Sequence, residues 1–250
     1  MSALIFTIAQ NGYGTAFLQC IASQREYSRT LGAEFVVVNR PSRVHDTALS
    51  AWLKIPLMLQ ALESGYDWVA YIDADCEVRV GAPDFRESLE PVSGDVFMAH
   101  GRSGRVNSGV MFAKNSHGSR QFFSRVLESI TTSIPAEDRA SLKYENGNVI
   151  HVERVHGGVT VMDQAWNNTY EPELADHVRH YTGVLRPLLR RPFFREVQYQ
   201  VLRRLGSRQL RKFQSQPARR EVAFAEQLSS LALESVRALP GLRLEAKARS

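Results

Sequence analysis

The first 115 residues alternate between short apolar runs and segments of helical periodicity, and this alternation limits the folds open to the chain. Apolar runs at 3–9, 34–38 and 68–72 are separated by two segments whose apolar residues recur at helical spacing. Strands that alternate with helices in this way form a mainly parallel sheet covered by helices on both faces. We therefore predict an α/β fold, in which ligands bind beyond the carboxyl ends of the strands.

Turn residues and apolar runs set the predicted boundaries of the other elements. The first helix is expected to end at Gly32, and the second is expected to break or to begin afresh at Pro56. Further strands are predicted at 76–80, 95–99 and 107–113, and a further helix near 119–130.

Residues 135–160 are polar and contain the turn signals YENGN and HGG. These signals predict a loop-rich excursion or a hairpin. His151 and His156 lie five positions apart, which is the wrong spacing for one face of a helix. We interpret both histidines as structural or loop residues.

The composition is that of an ordinary globular protein, with 44% hydrophobic and 23% charged residues among 250. No apolar run approaches the roughly 18 residues that a membrane-spanning helix needs. The start of the chain lacks the basic residues and cleavage site of a signal peptide, so the run 3–9 is predicted to be a strand. With Cys20 and Cys76 as the only cysteines, a cytoplasmic location is expected.

The net charge of +5 is distributed unevenly along the chain. From Val184 to the end there are fifteen Lys and Arg against five Asp and Glu, a balance of +10, whereas residues 1–183 carry −5. This asymmetry indicates two regions with different partners.

Asp73 and Asp75 follow the buried run 68–72, at a strand end where an α/β fold binds ligands. On an extended chain their side chains would point the same way. Two negative charges so close together disfavour the ionised form of each carboxyl group unless a cation lies between them. A hard divalent cation such as Mn²⁺ or Mg²⁺ binds carboxylate oxygens and keeps positions open for phosphate. The pair therefore predicts a metal site, the alternative being two acids that cap a turn.

Four stretches in order extend this pattern: LKIPLMLQALESGYDWVAYIDADCEV, VNSGVMFAKNS, VMDQAWN and HYTGVLRP. Together they resemble the retaining nucleotide-sugar glycosyltransferases of the GT-A fold, and in pattern they are nearest to glycogenin and the bacterial lipopolysaccharide galactosyltransferases. The resemblance covers residues 3–187. It implies a GT-A domain at 1–186, a Rossmann-like and mostly parallel sheet flanked by helices, with a basic helical extension at 187–250.

The resemblance also implies roles for individual residues. Asp73, Asp75 and His180 would bind the metal, with His180 in the pattern His–aromatic–x–Gly. Arg186 stands where the family usually has Lys and would reach the diphosphate, to which its guanidinium can donate two hydrogen bonds. The other implied donor-binding residues are Ala9 and Tyr13 at the uracil and ribose, Lys54 near the phosphates, Asn107, Ser108 and Gly109 at the sugar, and Gly183 in the histidine motif.

Asp163 and Gln164 match the Asp–Gln pair that the family places on the sugar face away from the diphosphate. The resemblance implies a catalytic position for both, and the alternative for Asp163 is a helix N-cap. Family members commonly carry a further acid where this chain has Ala165, and an aromatic residue where it has Leu188. The departure at Ala165 bears on how the sugar hydroxyls are held, and the two departures together leave a non-catalytic binding module open.

The implied activity is transfer of a hexose from a UDP-sugar to an acceptor with retention of configuration. Galactose and glucose are the first candidates for that hexose. The implied acceptor is a glycan, a lipid-linked sugar or a lipopolysaccharide. One alternative is a nucleotidyltransferase on a similar sheet, which would need a glycine-rich loop denser than NGYG after the first strand. The other is a non-catalytic module that binds nucleotide sugars.

The basic extension mixes Arg with Leu, Phe and Tyr at near-helical spacing, as interfacial helices do. Its apolar face is expected to pack on the catalytic body, and its arginines are expected to meet an anionic surface. Peripheral binding at the inner face of the membrane would suit a lipid-linked acceptor. Nucleic acid is not an expected partner, because no recognition fold is visible.

Overall fold

The computed structural model describes residues 1–44, 46–138, 144–190, 192–198, 200–201 and 218–238. The strands are β1 (Ala3–Ile8), β2 (Glu34–Val38), β3 (Trp68–Ile72), β4 (Cys76–Val78), β5 (Val96–Ala99), β6 (Val110–Lys114), β7 (Val159–Met162) and β8 (Val178–His180). The helices are α1 (Tyr13–Ala16), α2 (Leu18–Thr30), α3 (Thr47–Trp52), α4 (Lys54–Glu63), α5 (Phe85–Leu89), α6 (His117–Glu128), α7 (Asn146–His156) and α8 (Ala218–Ala238). Residues 193–198 are also helical.

Six strands form the central sheet, in the order β2-β1-β3-β6-β5-β7, and β4 pairs with β8 in a second, two-stranded sheet. The pairs β1–β2, β1–β3 and β5–β7 are parallel, and β6 is antiparallel to both of its neighbours. The predicted α/β class with a mostly parallel sheet is therefore confirmed.

Helices cover the central sheet on both faces because its inner strands are apolar on both sides. In β3, Val69 and Tyr71 pack in one core with residues of α4, α6 and α7. Trp68, Ala70 and Ile72 alternate with them and pack in a second core with residues of α2 and α5. This period of two in a fully buried strand is what an α/β sheet requires.

Helix α8 of the basic extension packs against the first of these cores. Phe224, Leu228 and Leu231 of α8 are buried there. They recur at the spacing of one helix face. The ring of Phe224 meets that of Trp52 in α3 edge-on, with 6.1 Å between centroids. Across the described ranges, including α8, no helix has the length and apolar character needed to cross a bilayer.

The prediction of a loop-rich excursion or hairpin at 135–160 is wrong for most of that stretch. Asn146–His156 forms α7, and Val159–Met162 pairs with β5 at the sheet edge, while 139–143 lie outside the described residues. Burial of Val149, Ile150 and Val152 outweighs the local turn preference of YENGN. His151 has the predicted structural role, but on a helix, where its Nδ1 lies 2.9 Å from Asp138 Oδ2.

Smaller differences concern the ends of elements. The break between α3 and α4 falls at Leu53, and Pro56 lies in the first turn of α4, where a missing backbone N–H is tolerated. β4 ends at Val78 rather than at residue 80, and β6 begins at Val110 because residues 107–109 form a turn.

Candidate metal and donor-binding site

Three chain segments meet beyond the carboxyl ends of the parallel strands. The turn after β3 is fixed to the turn before β6 by the backbone N–H of Asp73, which donates to the Gly109 carbonyl at 2.8 Å. The segment after β8 is fixed to the same turn, because the N–H of Tyr181 donates to the Asp75 carbonyl at 3.0 Å. These contacts bring His180, the last residue of β8, to the two acids.

The predicted metal ligands lie together. His180 Nε2 is 3.3 Å from Asp75 Oδ1 and 3.8 Å from Asp73 Oδ2. The sequence interpretation assumed that Asp73 and Asp75 lie on an extended chain, and this assumption is wrong. They occupy a tight turn, in which the Cys76 N–H donates to the Asp73 carbonyl at 3.0 Å. The turn still directs both carboxylates to one histidine.

The other oxygen of Asp73 faces the interior. Its Oδ1 accepts hydrogen bonds from Lys54 Nζ at 3.1 Å and from the Tyr71 hydroxyl. Lys54 Nζ is also 2.9 Å from Glu145 Oε1. Burial disfavours the charged amine, but the carboxylates of Asp73 and Glu145 outweigh it and raise the pKa of Lys54. Lys54 is therefore a permanent cation behind Asp73.

Asp75 has its own basic neighbour. Arg186 Nη2 lies 3.5 Å from Asp75 Oδ2, and Arg186 Nε donates to the Tyr181 carbonyl at 3.2 Å. Burial acts to raise the pKa of Asp75, but His180 and then Arg186 outweigh it and lower that pKa. The guanidinium predicted to reach the diphosphate thus lies beside the candidate metal ligands.

The chain itself supplies part of the positive charge that the acid pair requires. Among the described residues, the carboxylates of Asp73, Asp75 and Glu145 face two permanent cations, Lys54 and Arg186. One negative charge is left for a further cation. The carboxylates of Asp75 and Asp73 raise the pKa of His180, although burial opposes its charged form.

Two residues determine where the His180 ring lies. Its Nδ1 is 3.1 Å from Asn167 Oδ1. On the other side, a Cβ on Gly109 would lie 2.4 Å from His180 Cε1, a distance at which atoms cannot coexist without a shift. The glycine of the NSGV motif therefore leaves the space that the imidazole fills.

Cys76 lies directly behind the ligands, and its Sγ, an oxygen of Asp75 and a nitrogen of His180 lie within 4.8 Å of one another. Burial, and then the charges of Asp75 and Asp73, raise the pKa of this thiol well above its ordinary value. A protonated thiol is a poor ligand and a poor nucleophile. Two carboxylates and one imidazole are thus the donor set that fits Mn²⁺ or Mg²⁺.

The turn at 107–109 joins the acid pair to α7. The Ser108 N–H donates to Asn146 Oδ1 at 2.8 Å, and Ser108 Oγ donates to Glu145 Oε1 at 2.8 Å. Asn107 Oδ1 accepts the Gly109 N–H at 3.0 Å. The three predicted sugar-binding residues thus form a braced turn beside Asp73.

Asp163 and Gln164 lie where β7 ends, at the same edge of the sheet. Asp163 is the N-cap of the short turn that follows, since its Oδ1 accepts the Ala165 N–H at 2.7 Å. Gln164 Oε1 accepts the Tyr170 hydroxyl at 2.8 Å. Asn167, in the same turn, connects this pair to the predicted metal ligands through His180.

The remaining predicted residues lie at the ends of neighbouring segments. Ala9 is buried directly after β1, and Tyr13 is partly exposed at the start of α1. Gly183 has a φ of +47°, a conformation that favours glycine. A cleft of about 660 Å³ opens beside Gly183 and Arg186, and Glu196 and Gln200 line its far side.

Four residues of this site were missed by sequence reasoning: Tyr71, Glu145, Asn146 and Asn167. Glu145 and Asn146 belong to YENGN, whose composition is that of a turn. No spacing within that stretch connects it to an acid seventy residues earlier. Tyr71 was visible only as a strand residue, and Asn167 only as a polar residue four positions after Asp163.

No protein-family model and no curated protein sequence matches the chain. Among solved structures, a glycosyltransferase involved in the glycosylation of the major capsid of PBCV-1 is similar with a TM-score of 0.59 and 17% identity, over 80% of this chain and all of that one. Mouse xyloside xylosyltransferase 1 matches over 72% of this chain and 96% of that chain (TM-score 0.42, 10% identity). GlyE of Streptococcus pneumoniae matches over 81% of this chain and 61% of that chain (TM-score 0.44, 12% identity). At these last two TM-scores neither supports a conclusion, and the first shows that the chain shares the fold of that glycosyltransferase.

Proposed function

We propose that the protein is a metal-dependent glycosyltransferase that moves a hexose, galactose or glucose in the first place, from a UDP-sugar to a glycan or glycolipid with retention of configuration. The observation that carries the proposal is the convergence of Asp73, Asp75 and His180 at the ligand-binding edge of a glycosyltransferase fold. The motif matches to retaining families support the stereochemical part.

In this proposal, Asp73 Oδ2, Asp75 Oδ1 and His180 Nε2 would hold Mn²⁺ or Mg²⁺. When bound, the cation supplies Lewis-acid stabilisation for the charge that develops on the departing UDP oxygen. Arg186 lies beside the ligands and is 29% exposed, so its guanidinium can add hydrogen bonds to the diphosphate. Fixed donors at a site of developing charge are the main source of catalysis in such a reaction.

The donor would extend from the end of β1 to the turn before β6. Ala9 and Tyr13 would contact the uridine, and the braced turn Asn107–Gly109 would contact the sugar. Asp163 and Gln164 would lie on the opposite face of the sugar. The phosphate oxygen of the leaving group can itself take the acceptor proton, so we assign no side-chain base.

The acceptor is proposed to enter beside Arg186, where the cleft of about 660 Å³ opens and Thr182, Glu196 and Gln200 offer hydrogen-bonding groups for hydroxyls. The exposed segment that follows suits a lipid-linked acceptor. Phe193 and Phe194 are 84% and 63% exposed. Exposed aromatic residues among arginines are typical of surfaces that bind an anionic membrane.

The decisive experiment measures UDP release from a panel of UDP-sugars with Mn²⁺, with EDTA, and with or without simple glycan acceptors. We expect hydrolysis or transfer with one UDP-hexose, and loss of both with EDTA. Tight binding of a UDP-sugar without turnover under any condition would instead indicate a non-catalytic binding module. Thermal shifts select the donor to test first, because a ligand that binds only the folded protein raises its melting temperature.

A further inference from the structure

A buried ion pair lies directly behind the acid pair. Lys54 and Glu145 have side chains that are only 5% and 3% exposed, and Glu145 Oε1 lies 2.9 Å from Lys54 Nζ. Lys54 enters from the start of α4, and Glu145 immediately precedes α7. Two elements far apart in sequence thus place opposite charges beneath Asp73.

Burying this ion pair costs free energy, which indicates that the pair serves a purpose beyond packing. Removing two charges from water costs more than their attraction often returns, and similar apolar residues are frequently as stable. Glu145 Oε2 is also buried without a hydrogen-bond partner among the described residues. A buried carboxylate with one oxygen unpaired calls for an explanation.

The geometry around Asp73 supplies that explanation. Lys54 Nζ and the Tyr71 hydroxyl occupy Oδ1, so Oδ2 is the oxygen directed towards His180. Without a second carboxylate beside it, the positive charge of Lys54 would draw electron density from Asp73. It would then compete with a divalent cation for the Asp73 carboxylate. Glu145 lies on the other side of the amine and shares that charge.

We propose that Glu145 is a positioning residue for the metal site: it anchors Lys54 so that Lys54 fixes Asp73 with Oδ2 towards the cation without neutralising it. The inference rests on the proposed metal-dependent function. It assigns Lys54 to the metal ligand rather than to the diphosphate, which leaves Arg186 as the phosphate-binding cation.

The test is Mn²⁺ affinity of the protein without donor or acceptor, measured from the electron paramagnetic resonance signal of free Mn²⁺. Glu145→Gln keeps the size of the side chain and an oxygen for Lys54 and Ser108, but it removes the charge. We expect 10- to 100-fold weaker Mn²⁺ binding, the usual effect of losing a residue that supports a metal ligand.

Asp138→Asn is the matched control. Asp138 is equally buried and pairs with Arg154 and His151 of α7, but no hydrogen bond or ion pair found among the described residues joins it to Asp73, Asp75 or His180. We expect Asp138→Asn to lower stability and leave Mn²⁺ affinity at the wild-type value. Equal Mn²⁺ affinities for Glu145→Gln and Asp138→Asn would overturn the assignment of Glu145. Absence of Mn²⁺ binding in the wild type would overturn both this inference and the metal dependence of the proposed function.

A second measurement uses the wild-type protein and does not depend on how a variant folds. In a crystal structure with Mn²⁺ and UDP, we expect Asp73 to bind the metal through Oδ2 while Lys54 Nζ stays between Oδ1 and Glu145. A Lys54 amine found on a phosphate oxygen would overturn the inference while leaving the glycosyltransferase proposal intact.

Discussion

His180 Nδ1 lies 3.1 Å from Asn167 Oδ1, and this contact determines which imidazole nitrogen faces the carboxylates. The amide nitrogen of Asn167 is already engaged, since it donates to Asn107 Oδ1 at 2.9 Å. The oxygen of Asn167 must therefore accept a hydrogen bond from the protonated Nδ1 of His180. Nε2 is left towards Asp75, which is the orientation that a metal-binding histidine needs.

Replacing Asn167 tests this orientation. Asn167→Leu keeps the approximate shape but removes the acceptor, so the ring is no longer fixed in one tautomer. We expect Mn²⁺ affinity to fall about 10- to 100-fold. Asn115→Leu is the control, because Asn115 also donates to two carbonyls, of Leu62 and Tyr66, and should lose stability alone.

Asp75→Asn tests the metal site more directly. The amide has one oxygen and no charge, so it should bind a hard cation poorly while retaining the volume of the carboxylate. We expect Mn²⁺-dependent binding of UDP to be lost in titration calorimetry. Asp84→Asn, which changes the N-cap of α5 and removes the charge that pairs with Arg86, should bind UDP normally. Equal UDP affinity of the wild type with and without EDTA would contradict a metal role for Asp75.

The parts of the fold that the sequence predicted are those governed by local pattern. The strands 34–38, at the sheet edge, and 68–72, fully buried, were placed correctly because apolar runs bounded by turn residues leave few alternatives. Helix α7 was missed because Asn146, Gly147 and Asn148 favour turns locally. Its helical state depends on the burial of Val149, Ile150 and Val152 against distant elements. Tertiary packing outweighed propensity there.

The predicted metal ligands fared differently from the residues that hold them. Asp73, Asp75 and His180 could be found because a motif in fixed order marks them. The residues proposed to support them, Glu145 and Asn167, lie on segments that reach the site only through the folding of the whole sheet. No local spacing encodes such contacts.

Gly109→Ala tests whether the glycine of the NSGV motif is needed to leave space for the His180 ring. The added Cβ would lie 2.4 Å from His180 Cε1, so the ring must move. We expect about 1–3 kcal/mol lower unfolding free energy, the usual cost of overpacking, together with weaker Mn²⁺ binding. Gly14→Ala is the control, because its Cβ would meet Ala9 at an ordinary 3.5 Å. Unaltered Mn²⁺ affinity in Gly109→Ala would show that His180 does not need this space.

The stereochemical prediction follows from the matches around Asn107 and Gln164. NMR of the product from an α-linked UDP-hexose should show an α-linkage. Gln164→Ala should slow transfer more than it weakens donor binding, since we propose that Gln164 lies on the sugar face opposite the diphosphate. A β-linked product would assign the protein to an inverting class and remove Gln164 from its proposed position.

Membrane binding by the basic extension is the last prediction. The extension from Val184 carries +10 and the remainder −5. Each basic side chain near an anionic surface contributes about 1 kcal/mol. The chain should therefore co-sediment with anionic vesicles at low salt. It should be released at high salt, because the Debye length falls from roughly 10 Å at 0.1 M to about 3 Å at 1 M.

The structure shows where this prediction is best tested. Cutting the chain after Leu189 would also remove Phe224, which packs against Trp52, so a truncated protein would expose its core. Substitution of the exposed Phe193 and Phe194 by Ser avoids that problem, with Val80→Ser as the control for another exposed apolar residue. We expect the double substitution to weaken vesicle binding while Mn²⁺-dependent UDP binding stays unchanged. If the intact protein does not bind anionic vesicles at low salt, the arginines bind another partner. If the double variant binds as tightly as wild type, charge alone drives binding and the two phenylalanines face something other than lipid.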